Sequence, residues 1–142
     1  MSGKVAAYAH YGVTLRNTRQ SWSGVSLNGE VVVGLWQDEF DWKSKPVSCQ
    51  SNPATNEIWR NKPGNRERIT HLIRARDTAG GRFRVVVMRA ADTAGDPREV
   101  AEAFPRDDII MRLAQLDEAT GDFLAHLEEK AYRGNDGRGP TG

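Results

Sequence analysis

The stretch SWSGVSLNGEVVVGLW, residues 21–36, constrains the fold of this chain more than any other segment. Two β-prone runs flank Asn28-Gly29, the residue pair best able to adopt the two positive φ values of a type I′ turn. A two-residue loop at this point would pair Leu27 with Glu30. We therefore predict a β-hairpin over residues 21–36.

The register of this hairpin would also fix where its two tryptophans point. Counting outward from the two-residue loop places Trp22 opposite Leu35 and leaves Trp36 on the other face of the hairpin. Trp22 would then share its face with Val31 and Val33. We expect one indole to belong to the core and the other to face a second layer or a ligand.

A helix is predicted over NRERITHLIRARDTAGG, residues 65–81. Asn65 can act as its N-cap, and Gly80-Gly81 is a typical terminator. An apolar stripe at helical spacing should pack inward, and it consists of Ile69, Leu72 and Ile73. A separate path at helical spacing should be solvated, and it consists of Arg66, Thr70, Arg74 and Asp77.

The remaining regular structure is predicted to be β. RFRVVVMRA, residues 82–90, indicates a buried strand edged by arginines, and we interpret residues 91–105 as irregular. Residues 108–116 and 122–129 flank a Gly-containing turn and predict a second hairpin. Its core face should be formed by Ile109, Met111, Leu113, Phe123, Ala125 and Leu127.

Two segments lack periodicity. Residues 43–65 contain three prolines and many Ser, Asn and Gln, a composition typical of a long binding loop or lid. Residues 133–142 are Gly-rich and apolar-poor, and we predict a disordered tail there. A chain of 142 residues can bury a core without disulfide or metal support, so we expect residues 1–132 to form one domain.

These elements indicate an α+β domain with one main helix, two β-hairpins and a small, mostly antiparallel sheet that is curled or barrel-like. This order of elements resembles the PUA-like barrels of the EVE and YTH type. The resemblance is one of fold alone, since no family motif is present residue by residue. It implies an aromatic pocket between sheet and loop that takes a flipped base.

Charge is distributed unevenly along the chain although the formal net charge is only +1. Residues 56–90 contain nine bases and three acids, whereas residues 91–130 contain four bases and eleven acids. The basic segment could form a face for phosphates. Alternatively, the two segments could pair with each other inside one fold.

The metal-binding and membrane classes receive little support from the sequence. Cys49 is the only cysteine and excludes an internal disulfide, and together with the three histidines it cannot build the usual closed zinc site. No signal segment and no run of about 20 apolar residues is visible, so we expect a cytoplasmic protein without membrane contact. No phosphate-cradling glycine motif precedes a helix, and no cofactor is expected.

Asp38, Glu39 and Asp41 provide an enzymatic alternative. Asp41-Trp42-Lys43 matches half of the metal-dependent nuclease pattern, in which carboxylates hold Mg²⁺. The upstream acid is missing, because Glu30 on the same strand would lie roughly 35 Å away in extended chain. Paired acids at a strand end are more often a solvated turn, so this hydrolase or nuclease reading stays an alternative and no metal site is assigned.

The other reactive side chains are expected to be structural rather than catalytic. Cys49 lies in the long loop, and a base could reach it only through tertiary folding. We interpret His71 as a boundary residue of the helix and His126 as part of the exposed face of the last strand. No catalytic residue can be assigned, and we expect a binding module rather than an enzyme.

Aromatic residues interleaved with bases favour a small nucleic-acid-binding module that reads an unpaired or flipped base. Its predicted contacts are Arg19, Trp36, Trp42, Trp59, Arg60, Lys62, Arg66 and Arg74. DNA and RNA are not distinguished by this composition. A protein-interaction module or homodimer, with an acidic face docking on a basic one, is a third hypothesis.

Overall fold

The computed structural model describes residues 3–17, 21–50, 63–91 and 100–129. Within them the chain forms two α-helices, one 3₁₀ turn and seven strands. The helices are α1 (Lys4–His10) and α2 (Pro63–Thr78), and the 3₁₀ turn is Gln37–Glu39. The strands are β1 (Ser23–Val25), β2 (Val31–Trp36), β3 (Phe40–Asp41), β4 (Ser48–Gln50), β5 (Arg82–Ala90), β6 (Val100–Leu116) and β7 (Phe123–Glu129).

All seven strands belong to one mixed sheet with the order β1-β2-β5-β6-β7-β4-β3. Among the described strands only the β2–β5 pair is parallel, and the other pairs are antiparallel. The predicted α+β class is thus confirmed, with a second, short helix added at the N-terminus. The described sheet is not closed.

The first hairpin forms where predicted, but its register is shifted by one residue. Ser23 pairs with Val33, which places Trp22 rather than Ser23 opposite Gly34. The loop therefore has three residues instead of two. Gly29, at φ +89°, donates its N–H to the Ser26 carbonyl at 2.9 Å. The Ser26 hydroxyl also accepts the Glu30 N–H, and this side-chain bond favours the longer loop.

Helix α2 begins earlier than predicted, and the proposed N-cap was wrong. Asn65 lies inside the helix and is buried, and its side-chain amide donates to the Thr120 carbonyl of the β6–β7 turn at 2.9 Å. The C-terminus is as predicted, since Gly80 and Gly81 both have positive φ and the Gly81 N–H bonds to the Ala75 carbonyl.

Two apolar clusters lie on the two faces of the sheet. The larger cluster packs under α2, where Leu72 and Ala75 meet core-facing residues from β2 to β7. The smaller cluster packs under α1 and includes Tyr8, Val86 and Met88. In the second hairpin, the predicted core face is confirmed for Ile109, Met111, Leu113, Phe123, Ala125 and Leu127.

Two strands occupy sequence that was predicted to be irregular. β4 lies within the predicted loop 43–65 and pairs with β7, and Cys49 on it is fully buried. β6 begins at Val100, since its first residues pair with the end of β5, as in Val87 with Phe104. Such pairings depend on partners distant in sequence, which local composition cannot indicate.

Candidate nucleic-acid interface

Only half of the predicted contact residues fall within the described part of the chain. Arg19, Trp59, Arg60 and Lys62 lie outside the described residues. Trp36, Trp42, Arg66 and Arg74 lie within them. The structure therefore bears on the second group alone.

Trp42 presents its indole to solvent just after β3. The residue is 44% exposed, and its ring stacks on Phe40 with centroids 4.5 Å apart and planes at 11°. Phe40 itself is buried in the core under α2. The exposed indole is thus held in place by a core residue, which limits the entropy lost when a ligand binds to it.

Cationic and acidic side chains both occur near Trp42. Lys43 and Lys45 follow it in the β3–β4 loop and are exposed, and the exposed Asp41 precedes it. The Arg106 guanidinium of β6 lies 6.0 Å from the indole centroid and is held by two 2.9 Å hydrogen bonds to the Asp108 carboxylate. Among the described residues, the two lysines therefore provide the unpaired positive charge of this segment.

A second exposed aromatic residue, Phe104, also lies on β6. Pairing of β6 with β5 is irregular just after it, so it is not placed on the same face as Arg106. We refer to Trp42, Lys43, Lys45 and Arg106 as the Trp42 patch. Arg106 was missed by sequence reasoning because it lies before the predicted second hairpin, in sequence without a strand signal.

The other described candidates lie elsewhere. Trp36 is half-buried against the cluster under α1, so it is less available than Trp42. Arg66 and Arg74 are exposed on α2 and form no ion pair with described residues, which confirms the predicted solvated path. They are on a different element from the residues of the Trp42 patch.

Several arginines of the basic segment pair with the acidic segment. Arg76 bonds to Glu118 at 2.9 Å, and Arg89 is paired with Glu102. Arg82 is paired with Glu128 in the same way. The internal pairing considered for the two segments therefore occurs, and it neutralises part of the predicted basic face.

Arg68 of α2 is buried, although a charged residue in a helix would be expected to face water. Its guanidinium lies 5.1 Å from the Trp22 ring centroid and 5.0 Å from that of Phe123, and it donates to the Asn65 amide oxygen at 3.2 Å. Burial lowers the pKa of Arg68, and the Glu39 carboxylate opposes that change. Trp22 is therefore part of an interior cation–π contact.

The carboxylates of the enzymatic alternative are used structurally. The Asp41 side chain accepts the N–H groups of Lys43 and Ser44 at 3.1 and 3.2 Å, which is a local turn. The Glu39 carboxylate favours the charged form of the buried Arg68. No group of three or more His, Cys, Asp or Glu that could hold a metal occurs among the described residues.

Cys49 and His71 occupy structural positions, as expected. Cys49 is fully buried, and burial, with a smaller effect of Glu39, raises the pKa of its thiol well above the ordinary range. His71 Nδ1 lies 2.6 Å from the hydroxyl of the buried Ser23, and burial lowers the pKa of this histidine. A serine without exposure cannot attack a substrate.

One open groove of about 730 Å³ lies at the start of β7, beside the β6–β7 turn. Its lining is acidic and amide-rich, and it consists of Gln50, Gln115, Leu116, Asp117, Glu118, Ala119, Asp122, Phe123 and Leu124. None of the predicted nucleic-acid contacts lines it. Its charge is unsuited to a phosphate backbone.

Comparison with known proteins gives no match to a protein family model, a curated protein or a solved structure. Neither helix in the described part of the chain is long and apolar enough to cross a bilayer.

Proposed function

We propose that this chain is a small nucleic-acid-binding module whose Trp42 stacks on an unpaired or flipped base. The proposal is carried by one observation: an exposed indole, backed by the buried Phe40, lies 6.0 Å from the Arg106 guanidinium and is followed in the chain by the exposed Lys43 and Lys45. Stacking on an aromatic ring is tolerant of base identity, and the cations would contact phosphates.

The remaining predicted contacts belong to the same proposal. Arg66 and Arg74 would add phosphate contacts from α2. Arg19, Trp59, Arg60 and Lys62 are further contacts to be tested by substitution. A PUA-like architecture is also part of this proposal. It is supported by the position of β2 and β3 near opposite ends of the sheet, because Leu35 and Phe40 from these strands lie in one core, as a curled sheet would require.

The first experiment is a binding titration with fluorescently labelled oligonucleotides. Single-stranded and duplex DNA and RNA are compared by anisotropy at low and moderate salt, with EDTA present throughout. We expect preference for single strands and a steep loss of affinity with salt. Absence of binding to every oligonucleotide at low salt would contradict the proposal.

The variant Trp42→Ala tests the stacking contact itself. A stacked base contributes about 1–3 kcal/mol, so affinity should fall by about 5- to 150-fold. Leu27→Ala is a matched control, because Leu27 is an exposed apolar residue at the β1–β2 turn, and its affinity should be unchanged. Equal affinities of both variants and the wild type would exclude Trp42 as the contact.

Two further measurements test the alternative functions. A metal-dependent nuclease using Asp38, Glu39 and Asp41 would degrade the oligonucleotide when EDTA is replaced by Mg²⁺. A homodimer would show a mass that depends on protein concentration in light scattering without oligonucleotide. Either result, with no binding in EDTA, would replace the present proposal.

A further inference from the structure

A row of polar residues crosses the sheet on the face opposite the larger core. Strand pairing places them side by side on β4, β7, β6 and β5, and they are Ser48, His126, Arg112 and Arg82. Their sequence neighbours Cys49, Ala125, Met111 and Phe83 all belong to the core under α2. Alternation therefore directs the row to the other face.

The β5–β6 end of this row is open in the described structure. Helix α1 packs against a cluster that contains none of the four residues of the row, and α2 lies on the opposite face. The Arg82 and Arg112 side chains are 53% and 56% exposed. Both guanidiniums can therefore be reached from solvent.

Glu128 holds these two arginines in position. It lies two residues after His126, on the same face, and its carboxylate accepts a hydrogen bond from Arg112 at 3.2 Å and pairs with Arg82. One carboxylate shared by two guanidiniums leaves an excess positive charge. The remaining N–H groups of both arginines stay available as donors.

The His126 ring lies next to this arginine pair, because His126 is the cross-strand neighbour of Arg112. Its Nδ1 is shielded from solvent, so the ring can report on a ligand held by the arginines without binding it through this atom. Ser48, the cross-strand neighbour of His126, adds a hydroxyl on the same side, which lies 3.2 Å from the Ser44 hydroxyl. Asp41 on β3 is the next residue of the row and marks its acidic end.

We infer that this row, named here the His126 row, is a binding site for a phosphate group. The oxygens of a phosphate would accept from Arg112 and Arg82, with the Ser48 hydroxyl as a further donor. The site shares no residue with the Trp42 patch and would take either a free phosphate or a phosphate of a nucleic acid.

The probe is inorganic phosphate, added to the full chain and followed by NMR of the histidine ring signals. We expect a saturable shift of the His126 signals, with the signals of His10 and His71 much less affected. Sodium chloride at equal ionic strength serves as the ionic control. A non-saturating shift, or equal shifts of all three histidines, would overturn the inference.

Two arginine variants separate a specific contact from general charge. Arg112→Gln should weaken phosphate binding about tenfold or more, since it removes a charge-assisted contact. Arg89→Gln is the matched control, because Arg89 is also half-exposed and paired across β5 and β6, with Glu102. Equal weakening by both variants, each shown to be folded by circular dichroism, would refute the site.

The source of the phosphate is distinguished by two further measurements. Trp42→Ala should leave inorganic phosphate binding unchanged, so the two sites can fail independently. If the row contacts a nucleic acid, Arg112→Gln should also lower oligonucleotide affinity relative to Arg89→Gln. If oligonucleotide affinity is unchanged while phosphate binding is lost, the site serves a free phosphate or a small phosphorylated ligand.

Discussion

Tyr11→Phe is expected to destabilise the protein by removing one hydroxyl that serves two strands. The Tyr11 hydroxyl donates to the Val85 carbonyl of β5 at 2.9 Å and accepts the Arg106 N–H of β6 at 2.9 Å. Pairing of β5 with β6 is irregular between Arg84 and Val86, so Val85 has no partner residue on β6. The tyrosine completes the hydrogen bonding that this bulge interrupts.

The magnitude follows from the number of groups left without a partner. Each lost hydrogen bond costs about 1 kcal/mol, so Tyr11→Phe should lower the free energy of unfolding by about 2 kcal/mol. Tyr8→Phe is the comparison, since the Tyr8 hydroxyl donates to the Trp22 carbonyl at 2.8 Å. That carbonyl also accepts the Gly34 N–H, so we expect a loss of only about 1 kcal/mol.

Urea unfolding followed by circular dichroism measures both variants against the wild type. The ranking is informative because Tyr8 is the more deeply buried of the two, and burial alone would predict the opposite order. A Tyr8→Phe loss equal to or larger than that of Tyr11→Phe would show that the bulge groups find other partners. The reasoning from unpaired backbone groups would then be refuted.

Three further outcomes are expected. Burial raises the pKa of Tyr11 to about 12, above the unfolded value of about 10. The contribution of Tyr11 to stability is therefore complete below pH 10 and is lost as pH rises towards 12. Over this interval the free energy of unfolding should fall less for Tyr11→Phe than for the wild type. Cys49 should react with a thiol reagent only when the protein unfolds, and rapid labelling in native buffer would contradict its burial. Leu72→Ala should lower the free energy of unfolding by about 2–5 kcal/mol in urea titrations, and a smaller loss is expected for Ile73→Ala, because Ile73 is only partly buried.

Local sequence signals located most elements, but not the details that depend on distant partners. The bounds of β5 and the glycine terminus of α2 follow from short patterns, and both are confirmed. The register of the first hairpin does not, because it depends on how the Ser26 side chain bonds to Glu30. Small changes of this kind reverse the face of every residue in a strand.

Only part of the candidate site could be predicted from the sequence, because some of its residues are positioned by partners distant in the chain. Trp42 could be predicted as exposed because it follows a strand and precedes a polar loop, whereas Arg106 lies in a segment without strand periodicity. The burial of Arg68 was also not predictable locally. Its position depends on Trp22 and Phe123, which lie 46 and 55 positions away in the chain.

The strand order has a consequence for how the protein is made. In the described sheet, β3 and β4 connect to the other strands only through β7, which is the last strand to leave the ribosome. The segment that carries Trp42 therefore waits through the synthesis of about 80 further residues before its docking strand exists. During that interval the Trp42 patch has no scaffold, so the exposed indole and the Arg106 guanidinium are brought together only after β7 has been synthesised.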